Sequence, residues 1–321
     1  MKRFRSQFGR YMARHLRLRR SLGYVLRGAD YTLRDFDRYL CRTHPRARHL
    51  THEIIVGYLE TTRSLASKSR CDRLTHLRQF CRFLFLFDPA TYLPASRLLP
   101  PGRTQVKPHI YTDAELAALM CEAERLCPRD PLISHTYRTI LSLLWVTGLR
   151  ISEVRRLNLG DVDVECGVLT IRESKFKKSR LVPLHPSSCE ALRQYRALRM
   201  RVLGDAPDSA APFFINKRRR RFANRTLLGT IQVLARRAGV LTADGRPPRV
   251  HDFRHAFATH TLTQLYRDGQ DPLAKLPVLA TFLGHVNIAN TQVYLHPSLD
   301  LLTQAGERFA AHVAMTRGRI S

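Results

Sequence analysis

A cluster of prolines divides this chain more firmly than any other feature of its sequence. Between residues 88 and 108 lie Pro89, Pro94, Pro100, Pro101, Gly102 and Pro108. Proline lacks the backbone N–H that a helix interior needs, and several in succession form a semi-rigid connector. With 321 residues, the chain is also long enough for two domains. We therefore expect separately folded parts at 1–88 and 109–321, joined by a linker at 89–108.

The part before the linker has the apolar spacing of amphipathic helices. Within residues 33–40, apolar side chains recur at intervals of three and four positions. Thr32 precedes them and is expected to cap that helix. Segments of the same kind lie at 54–59 and 64–87. The sequence thus predicts an all-helical N-terminal domain.

The part after the linker combines helices with a small amount of strand. Thr112 marks an expected helix start, and residues 137–146 have the composition of a buried helix. Residues 167–172 and 181–184 are rich in apolar and β-branched side chains, and they flank a polar segment at 173–180. This pattern is typical of a β-hairpin. The predicted fold class is therefore mainly α with a small β-sheet, an α+β arrangement.

The charge of the chain restricts its partners. It carries 54 Lys and Arg against 26 Asp and Glu, a net charge of +28, of which residues 1–108 contribute +16 (23 basic minus 7 acidic). Self-repulsion of this size favours an anionic partner, with nucleic acid as the first candidate and a membrane surface as the second. No run approaches the ~18 apolar residues of a spanning helix, so a membrane is disfavoured. A hydrophobic content of 44% indicates a globular protein rather than a disordered basic tail.

Cysteine and histidine spacing gives little support for a metal site. The seven cysteines form no CxxC pair, so neither a zinc ribbon nor a disulfide framework fits, and reduced thiols in the cytoplasm are expected. His251 and His255 have the spacing of helical metal ligands. However, the glutamate of an HExxH motif is absent and Arg254 lies between the two histidines, which disfavours a cation there.

Four short motifs together give the chain a family resemblance. They are TGLRISEV at 147–154, SKFKKSRLVPL at 174–184, HDFRHAFATH at 251–260 and LGHVNIANTQVY at 283–294. Each is weak alone, but in this order and at these separations the set resembles the tyrosine recombinases, the phage-integrase class of site-specific DNA recombinases. The resemblance implies a helical core-binding (SAM-like) domain at 1–88. It also implies a catalytic domain at 109–321 with a C-terminal tail helix, the two forming a C-shaped clamp on DNA.

All positions of the family's active site hold residues of a suitable type: Arg150, Lys175, His251, Arg254, His285 and Tyr294. The resemblance implies that Tyr294 is the nucleophile and that the two arginines hold the scissile phosphate. The two histidines would assist by hydrogen bonding and proton transfer. Lys175 would protonate the leaving 5′ oxygen, and Glu153 would support the site from behind.

These implied roles agree with the chemistry of breaking a phosphodiester. Guanidinium forks supply fixed donors to the non-bridging oxygens, where charge accumulates in the transition state. They also favour phenolate over a phenol whose pKa is about 10. The departing 5′ alkoxide needs a proton, and a covalent phosphotyrosine keeps the bond energy for religation without ATP. The resemblance thus implies no metal ion and no cofactor.

More than one lysine fits the role of general acid. The turn 174–178 contains Lys175, Lys177 and Lys178, so that three lysines compete for the role of general acid. Its distance from the LVPL segment favours Lys175, with Lys178 as the alternative.

Further basic residues are expected to contact the phosphate backbone of DNA: Arg70, Arg73, Arg78, Lys177, Lys178, Lys217, Arg218, Arg219, Arg220 and Arg221. The run 217–221 is five consecutive cations, for which a nuclear localisation signal and a solvated loop are the alternatives. Contacts to phosphate alone cannot specify a DNA sequence.

The expected function is site-specific recombination through a 3′-phosphotyrosine, in the manner of an integrase or of an enzyme of mobile elements and transposition. One alternative is a type IB topoisomerase, which shares this chemistry but only relaxes supercoils. Another is an inactive protein of the same fold that binds DNA in an architectural role.

The expected partners are double-stranded DNA and further copies of the chain, in a tetrameric synapse on two DNA sites. Companion recombinases or directionality factors are also possible partners. The expected location is the prokaryotic cytoplasm, in association with the nucleoid.

Overall fold

The computed structural model describes residues 4–100, 107–172, 179–204 and 208–284, together with 287 and 291. The chain divides into two compact units, Met1–Val106 and Lys107–Ser321. In the described ranges, no helix is both long enough and apolar enough to cross a membrane.

The described residues of the first unit are helical, as the apolar spacing predicts. Their helices are α1 (Gly9–Ser21), α2 (Arg27–Thr43), α3 (His52–Glu60) and α4 (Ser67–Phe85). The expectation that Thr32 caps a helix is wrong, because α2 begins before it at Arg27. Thr32 is instead buried within α2, where its hydroxyl lies 3.0 Å from Nδ1 of His76 in α4.

The core of the first unit lies between α2 and α4, and α1 packs against both. Phe36 of α2 and Leu77 of α4 are fully buried there. The start of the proline-rich segment belongs to this unit as well. The backbone N–H of Tyr92 donates to the Leu50 carbonyl at 2.8 Å, and Leu98 packs against the core. These contacts attach the start of the proline-rich segment to the first unit.

The described residues of the second unit form helices around a small sheet. The helices are α5 (Asp113–Glu124), α6 (Pro131–Thr147), α7 (Ile151–Arg156), α8 (Pro186–Leu203), α9 (Asn224–Arg237), α10 (Asp252–Arg267) and α11 (Pro272–Leu283). The strands are β1 (Val162–Asp163), β2 (Val168–Ile171) and β3 (Arg180–Pro183). The predicted fold class, mainly α with a small β-sheet, is confirmed. Thr112 caps α5 as expected, in a reciprocal capping box with Glu115.

The sheet has the order β1-β2-β3 among the described residues, with both pairs antiparallel. Leu169 of β2 lies opposite Val182 of β3, and both side chains are buried against the core. The predicted hairpin is thus confirmed for its two strands. The sequence did not predict β1, because two residues are too few to show a period.

Helix α6 is the centre of this unit and contacts α5, α8 and α10. It is longer than the predicted 137–146, since Pro131 fits the first turn, where its missing N–H has no helical partner. Apolar side chains such as Ile140 and Leu144 are fully buried along it. Its C-terminal end leads directly into the first of the four sequence motifs.

Candidate active site

The C-terminal end of α6 turns sharply so that the next helix can begin at the site. Gly148 has φ +58°, a conformation that favours glycine. A Cβ atom at this position would lie 2.6 Å from Cδ1 of Phe257, so the close packing also requires glycine. Two residues later, Arg150 occupies the position before the first turn of α7.

Glu153 fixes Arg150 at two points. Its Oε2 accepts the backbone N–H of Arg150 at 3.0 Å, and its Oε1 accepts from Nη1 of the same residue at 2.8 Å. An arginine and a glutamate three residues apart on a helix are most simply interpreted as a surface ion pair. The structure excludes that interpretation, because Glu153 is only 6% exposed.

Arg180, at the start of β3, binds the same carboxylate from the other side. Its Nη1 donates to Oε1 of Glu153 at 3.2 Å and its Nη2 to Oε2 at 3.0 Å. Burial raises the pKa of Glu153, but Arg180 and then Arg150 outweigh burial, and they hold this pKa below the ordinary 4.5. Glu153 is therefore a carboxylate shared by two cations. Sequence reasoning missed Arg180, whose only signal was its place at the end of a basic turn.

Arg254 of α10 is buried among main-chain acceptors. It is 1% exposed, and it donates from Nη1 to the carbonyl of Gly148 at 3.1 Å and from Nη2 to that of Leu283 at 2.7 Å. The guanidinium therefore joins the end of α6 to the end of α11. A charged group held by two carbonyls keeps one orientation, which a phosphate-binding arginine requires.

Three arginines meet at the C-terminal end of α11. Each donates to a different carbonyl in a run of three: Arg180 Nε to Phe282 at 2.9 Å, Arg254 Nη2 to Leu283 at 2.7 Å and Arg150 Nη2 to Gly284 at 3.4 Å. The last carbonyls of a helix have no partner within it and form the negative end of its dipole. The end of α11 therefore stabilises the positive charges of the site and sets their positions.

His251 lies just before α10, and its ring is 5.2 Å from that of His255, centroid to centroid. Desolvation, His255 and the guanidiniums of Arg254 and Arg150 lower the pKa of His251 to about 4. The imidazole is therefore neutral at pH 7 and can both donate and accept a hydrogen bond.

The remaining members of the expected site cannot be placed. Lys175, Lys177, Lys178, His285 and Tyr294 lie outside the described residues, as does the expected C-terminal tail helix. Their assignments stay predictions. The structure does bring together Arg150, Glu153, His251 and Arg254. Arg150 and Arg254 are more than 100 positions apart in the sequence.

The basic residues of the first unit that are expected to contact DNA differ in their contacts within the protein. Arg73 forms an ion pair with Asp35 and donates to the hydroxyl of Tyr58 at 2.6 Å, so its guanidinium has internal partners. Arg78 donates from Nε to the carbonyl of Pro94 at 2.7 Å, and Arg70 is partly buried. We therefore give Arg73 a structural role and do not propose it as a DNA contact.

The basic turn at 217–221 separates into exposed and internal cations. Lys217, Arg218 and Arg220 are exposed, and Arg219 is exposed beside Asp130 at 3.4 Å. Arg221 instead points into the unit. It donates from Nη1 to the carbonyls of Arg155 at 2.8 Å and Leu157 at 3.1 Å, and from Nη2 to Oδ1 of Asn158 at 2.5 Å. Arg221 thus holds the turn in place, and we do not propose it as a DNA contact.

Arginines, rather than metal ligands, converge among those residues of the site that the structure describes. Within the described ranges, no group of three or more His, Cys, Asp or Glu side chains is placed to hold a metal ion. The charged groups that do converge are arginines, fixed by one carboxylate and by main-chain carbonyls. Such an arrangement defines a site for an anionic group rather than for a cation.

Comparison with known proteins agrees with this class of site. The sequence profile of the phage integrase family matches residues 111–300. The chain is 37% identical over 311 residues to "Putative integrase/recombinase y4rB" of Sinorhizobium fredii, which covers 94% of this chain and 97% of that protein. It is 31% identical over 255 residues to tyrosine recombinase XerC of Pseudomonas fluorescens, covering 79% and 77%. The chain therefore belongs to the phage integrase family, the tyrosine recombinases, and the resemblance found in its sequence is confirmed.

Solved structures show the same fold. A lambda integrase tetramer bound to a Holliday junction matches with a TM-score of 0.63 at 17% identity, covering 88% of this chain and 76% of that one. At this identity the match concerns the fold, which is retained although most side chains differ.

Proposed function

We propose that this protein is a site-specific DNA recombinase that cuts and rejoins DNA strands through a covalent phosphotyrosine. The observation that carries the proposal is the common anchoring of Arg150 and Arg254 at the end of α11. Preorganised cations stabilise the charge that develops on a phosphoryl group without rearranging during the reaction. Membership of the tyrosine recombinase family supports the same activity.

In the proposed reaction, the phenolate oxygen of Tyr294 attacks the scissile phosphorus. The P–O5′ bond breaks, a 3′-phosphotyrosine forms, and the free strand end leaves as a 5′ hydroxyl after taking up one proton. Arg150 and Arg254 hold the non-bridging oxygens during this step. Attack by another 5′ hydroxyl reverses the chemistry and releases Tyr294, so religation to a different strand needs no ATP.

The reaction needs a proton donor for the leaving 5′ oxygen and a proton acceptor for the phenol of Tyr294. We assign the donor for the 5′ oxygen to Lys175, with Lys178 as the alternative, because a lysine among cations releases its proton more readily. Neutral His251 fits a role as acceptor or relay for the phenol proton, since a proton acceptor must carry a free nitrogen lone pair. His285 is assigned to hydrogen bonding with the phosphate.

We assign the remaining basic residues to the binding of duplex DNA. For this we propose Arg70, Arg78, Lys177, Lys178, Lys217, Arg218, Arg219 and Arg220. We further propose a core-binding domain at 1–88, a linker at 89–108 and a catalytic domain at 109–321, which close around DNA as a clamp. A tetramer on two DNA sites is the proposed active form, by analogy with the lambda integrase tetramer on a Holliday junction. A DNA substrate also implies a nucleoid-associated location.

Two other activities on this fold are less well supported. A type IB topoisomerase would relax supercoils without exchanging strands, and an inactive protein would bind DNA only. The curated relatives named above are integrases and recombinases, and this favours strand exchange. The fixed positions of both arginines, Arg254 buried and Arg150 bound to the buried Glu153, argue against an inactive site.

A suicide substrate tests the proposal. This is duplex DNA nicked close to the cleavage point, so that the cut fragment diffuses away and the covalent complex accumulates. The native protein should form an adduct through the 3′ phosphate, with Tyr294 as the modified residue by mass spectrometry. Tyr294→Phe should form none, and Tyr266→Phe, a matched change in α10, should still form it.

Four outcomes contradict the proposal. An adduct through the 5′ phosphate would contradict the assigned roles, and an adduct with Tyr294→Phe would contradict the nucleophile. The absence of any adduct with the native protein would favour the DNA-binding alternative. Relaxation of supercoils without exchange between two sites would favour the topoisomerase.

A further inference from the structure

Arg180 joins three elements of the second unit through one guanidinium group. From β3 it donates two hydrogen bonds to Glu153 of α7, at 3.2 and 3.0 Å. Its Nε donates to the carbonyl of Phe282 in α11 at 2.9 Å. The planar guanidinium sets the directions of all three bonds, whereas the ammonium of lysine is a point charge that could not reproduce them.

Arg180 is connected to Arg150 through two shared partners. The first is Glu153, which binds the backbone N–H and Nη1 of Arg150. The second is the end of α11, where the Gly284 carbonyl accepts from Nη2 of Arg150. A shift of Arg180 would therefore release Arg150 at both ends of its guanidinium.

We propose that Arg180 is a positioning residue for DNA cleavage, which holds Glu153 and the end of α11 so that Arg150 meets the scissile phosphate in the correct orientation. The inference rests on the proposed function. Arg180 itself touches no reacting atom in this scheme and acts through Arg150.

Gly284 gives independent support for a tightly specified position of Arg180. It has φ +69°, and a Cβ atom there would lie 2.6 Å from Nη1 and 2.8 Å from Cζ of Arg180. The backbone thus closes directly over the guanidinium. His285 is the next residue along the chain, so this contact also fixes the point from which the segment towards Tyr294 leaves α11.

A purely structural role is the competing explanation, since removing one partner of a buried ion pair destabilises a fold. The test must therefore separate catalysis from stability. Arg180→Lys keeps the charge but loses the fork, and Arg180→Gln loses both. Arg199→Lys is a matched control, because Arg199 of α8 is a buried arginine that donates to the Pro212 carbonyl at 3.1 Å, away from these contacts.

The first measurement is single-turnover cleavage of the suicide substrate at saturating folded protein. Arg180→Lys should cleave about 10- to 100-fold more slowly than the native protein, since a misplaced catalytic group costs rates of this order. Its affinity for uncleaved DNA should stay within about threefold, because the Arg180 side chain is only 11% exposed and is assigned no phosphate contact. Arg199→Lys should cleave at the native rate.

The second measurement replaces one non-bridging oxygen of the scissile phosphate by a methyl group. This methylphosphonate carries no negative charge, so the transition state depends less on a well-placed guanidinium. The rate defect of Arg180→Gln should shrink on this substrate in parallel with that of Arg150→Ala. A loss of stability alone would reduce the rate on both substrates by the same factor.

The outcomes separate this inference from the proposed function. If the native protein forms the adduct and Arg180→Lys cleaves equally fast, the inference fails alone. An unchanged defect of Arg180→Gln on methylphosphonate also overturns it. If the native protein forms no adduct, the proposed function fails and the inference fails with it. Should both Arg180 variants unfold, Gly284→Ala displaces the intact arginine, and a native cleavage rate for that variant would overturn the inference.

Discussion

The carboxylate of Glu153 and the guanidinium of Arg180 meet as two parallel hydrogen bonds, Oε1 to Nη1 at 3.2 Å and Oε2 to Nη2 at 3.0 Å. Their side chains are 5% and 11% exposed, so water contributes little to the balance of charge. Arg150 adds a second cation to the same carboxylate. Such a cluster adds little stability compared with apolar packing, but it makes the loss of any one member costly.

Glu153→Gln tests this relationship. The amide keeps the shape but removes the charge, so the guanidiniums of Arg150 and Arg180, 21% and 11% exposed, lose the anion that they share. We expect the free energy of unfolding to fall by about 3 kcal/mol, the order found for breaking a buried ion pair. Adduct formation should fall with it, while DNA binding is retained. Chemical denaturation and the suicide-substrate assay measure the two effects.

Glu124→Gln is the control for that experiment. Glu124 pairs with Arg138 at 2.6 Å, and both side chains are about half exposed. An exposed pair contributes up to about 1 kcal/mol, so this variant should be nearly as stable as the native protein. Equal destabilisation by the two changes would show that burial does not set the importance of Glu153.

Gly284→Ala tests whether the end of α11 must close over Arg180. The alanine methyl group would meet Nη1 at 2.6 Å, and φ +69° adds backbone strain. We expect a lower melting temperature and slower cleavage. Gly239→Ala carries the same backbone strain, since φ is +70°, but no atom lies within 4 Å of its Cβ. The difference between the two variants, by thermal melting and by adduct formation, isolates the displacement of Arg180. Identical losses would contradict the tight fit.

Local patterns in the sequence predicted the elements that local forces determine. The helix start expected at Thr112 is confirmed, and its capping box with Glu115 needs only partners within one helical turn. The hairpin strands followed from their apolar alternation. Strand β1 could not be predicted, because Val162 and Asp163 alone show no period and pair only once β2 is in place.

The sequence predicted only those site residues to which the family resemblance gives a role, and Arg180, although it lies within the motif at 174–184, has none. Arg150, His251 and Arg254 were found through motif resemblance, but Arg180 was not, since a cation ending a basic turn looks like another solvated residue. Its role depends on Glu153, 27 residues away, and on the end of α11, 102 residues away. Arg73 is a second residue whose contacts the local sequence does not show. Its ion pair with Asp35 spans 38 residues, which no local pattern reveals.

His251 should titrate well below an ordinary histidine. Its pKa in the folded protein is about 4, against 6.5 when unfolded. The unfolded chain therefore binds the proton more readily, and the contribution of His251 to stability, complete above pH 6.5, is lost as the pH falls towards 4. Histidine NMR titration, with His251→Gln to assign the signal, measures the midpoint directly. Site resolution is needed because burial also lowers the pKa of His15 to about 4. A midpoint above 7 would leave this imidazole mainly protonated at pH 7 and would contradict its assignment as a proton acceptor.

Arg220 and Arg221 are neighbours in sequence but should give opposite phenotypes. Arg220 is exposed, whereas Arg221 donates to the carbonyls of Arg155 and Leu157 and to Asn158. Arg220→Ala should leave the melting temperature unchanged and weaken DNA binding, with the slope of log affinity against log salt reduced by about 0.9, one phosphate contact. Arg221→Ala should lower the melting temperature, because two main-chain carbonyls lose their donor. Filter binding over a salt series and thermal melting compare the two variants. A reversed pattern, with Arg221→Ala stable and defective only in binding, would place Arg221 on the DNA-binding surface and Arg220 off it.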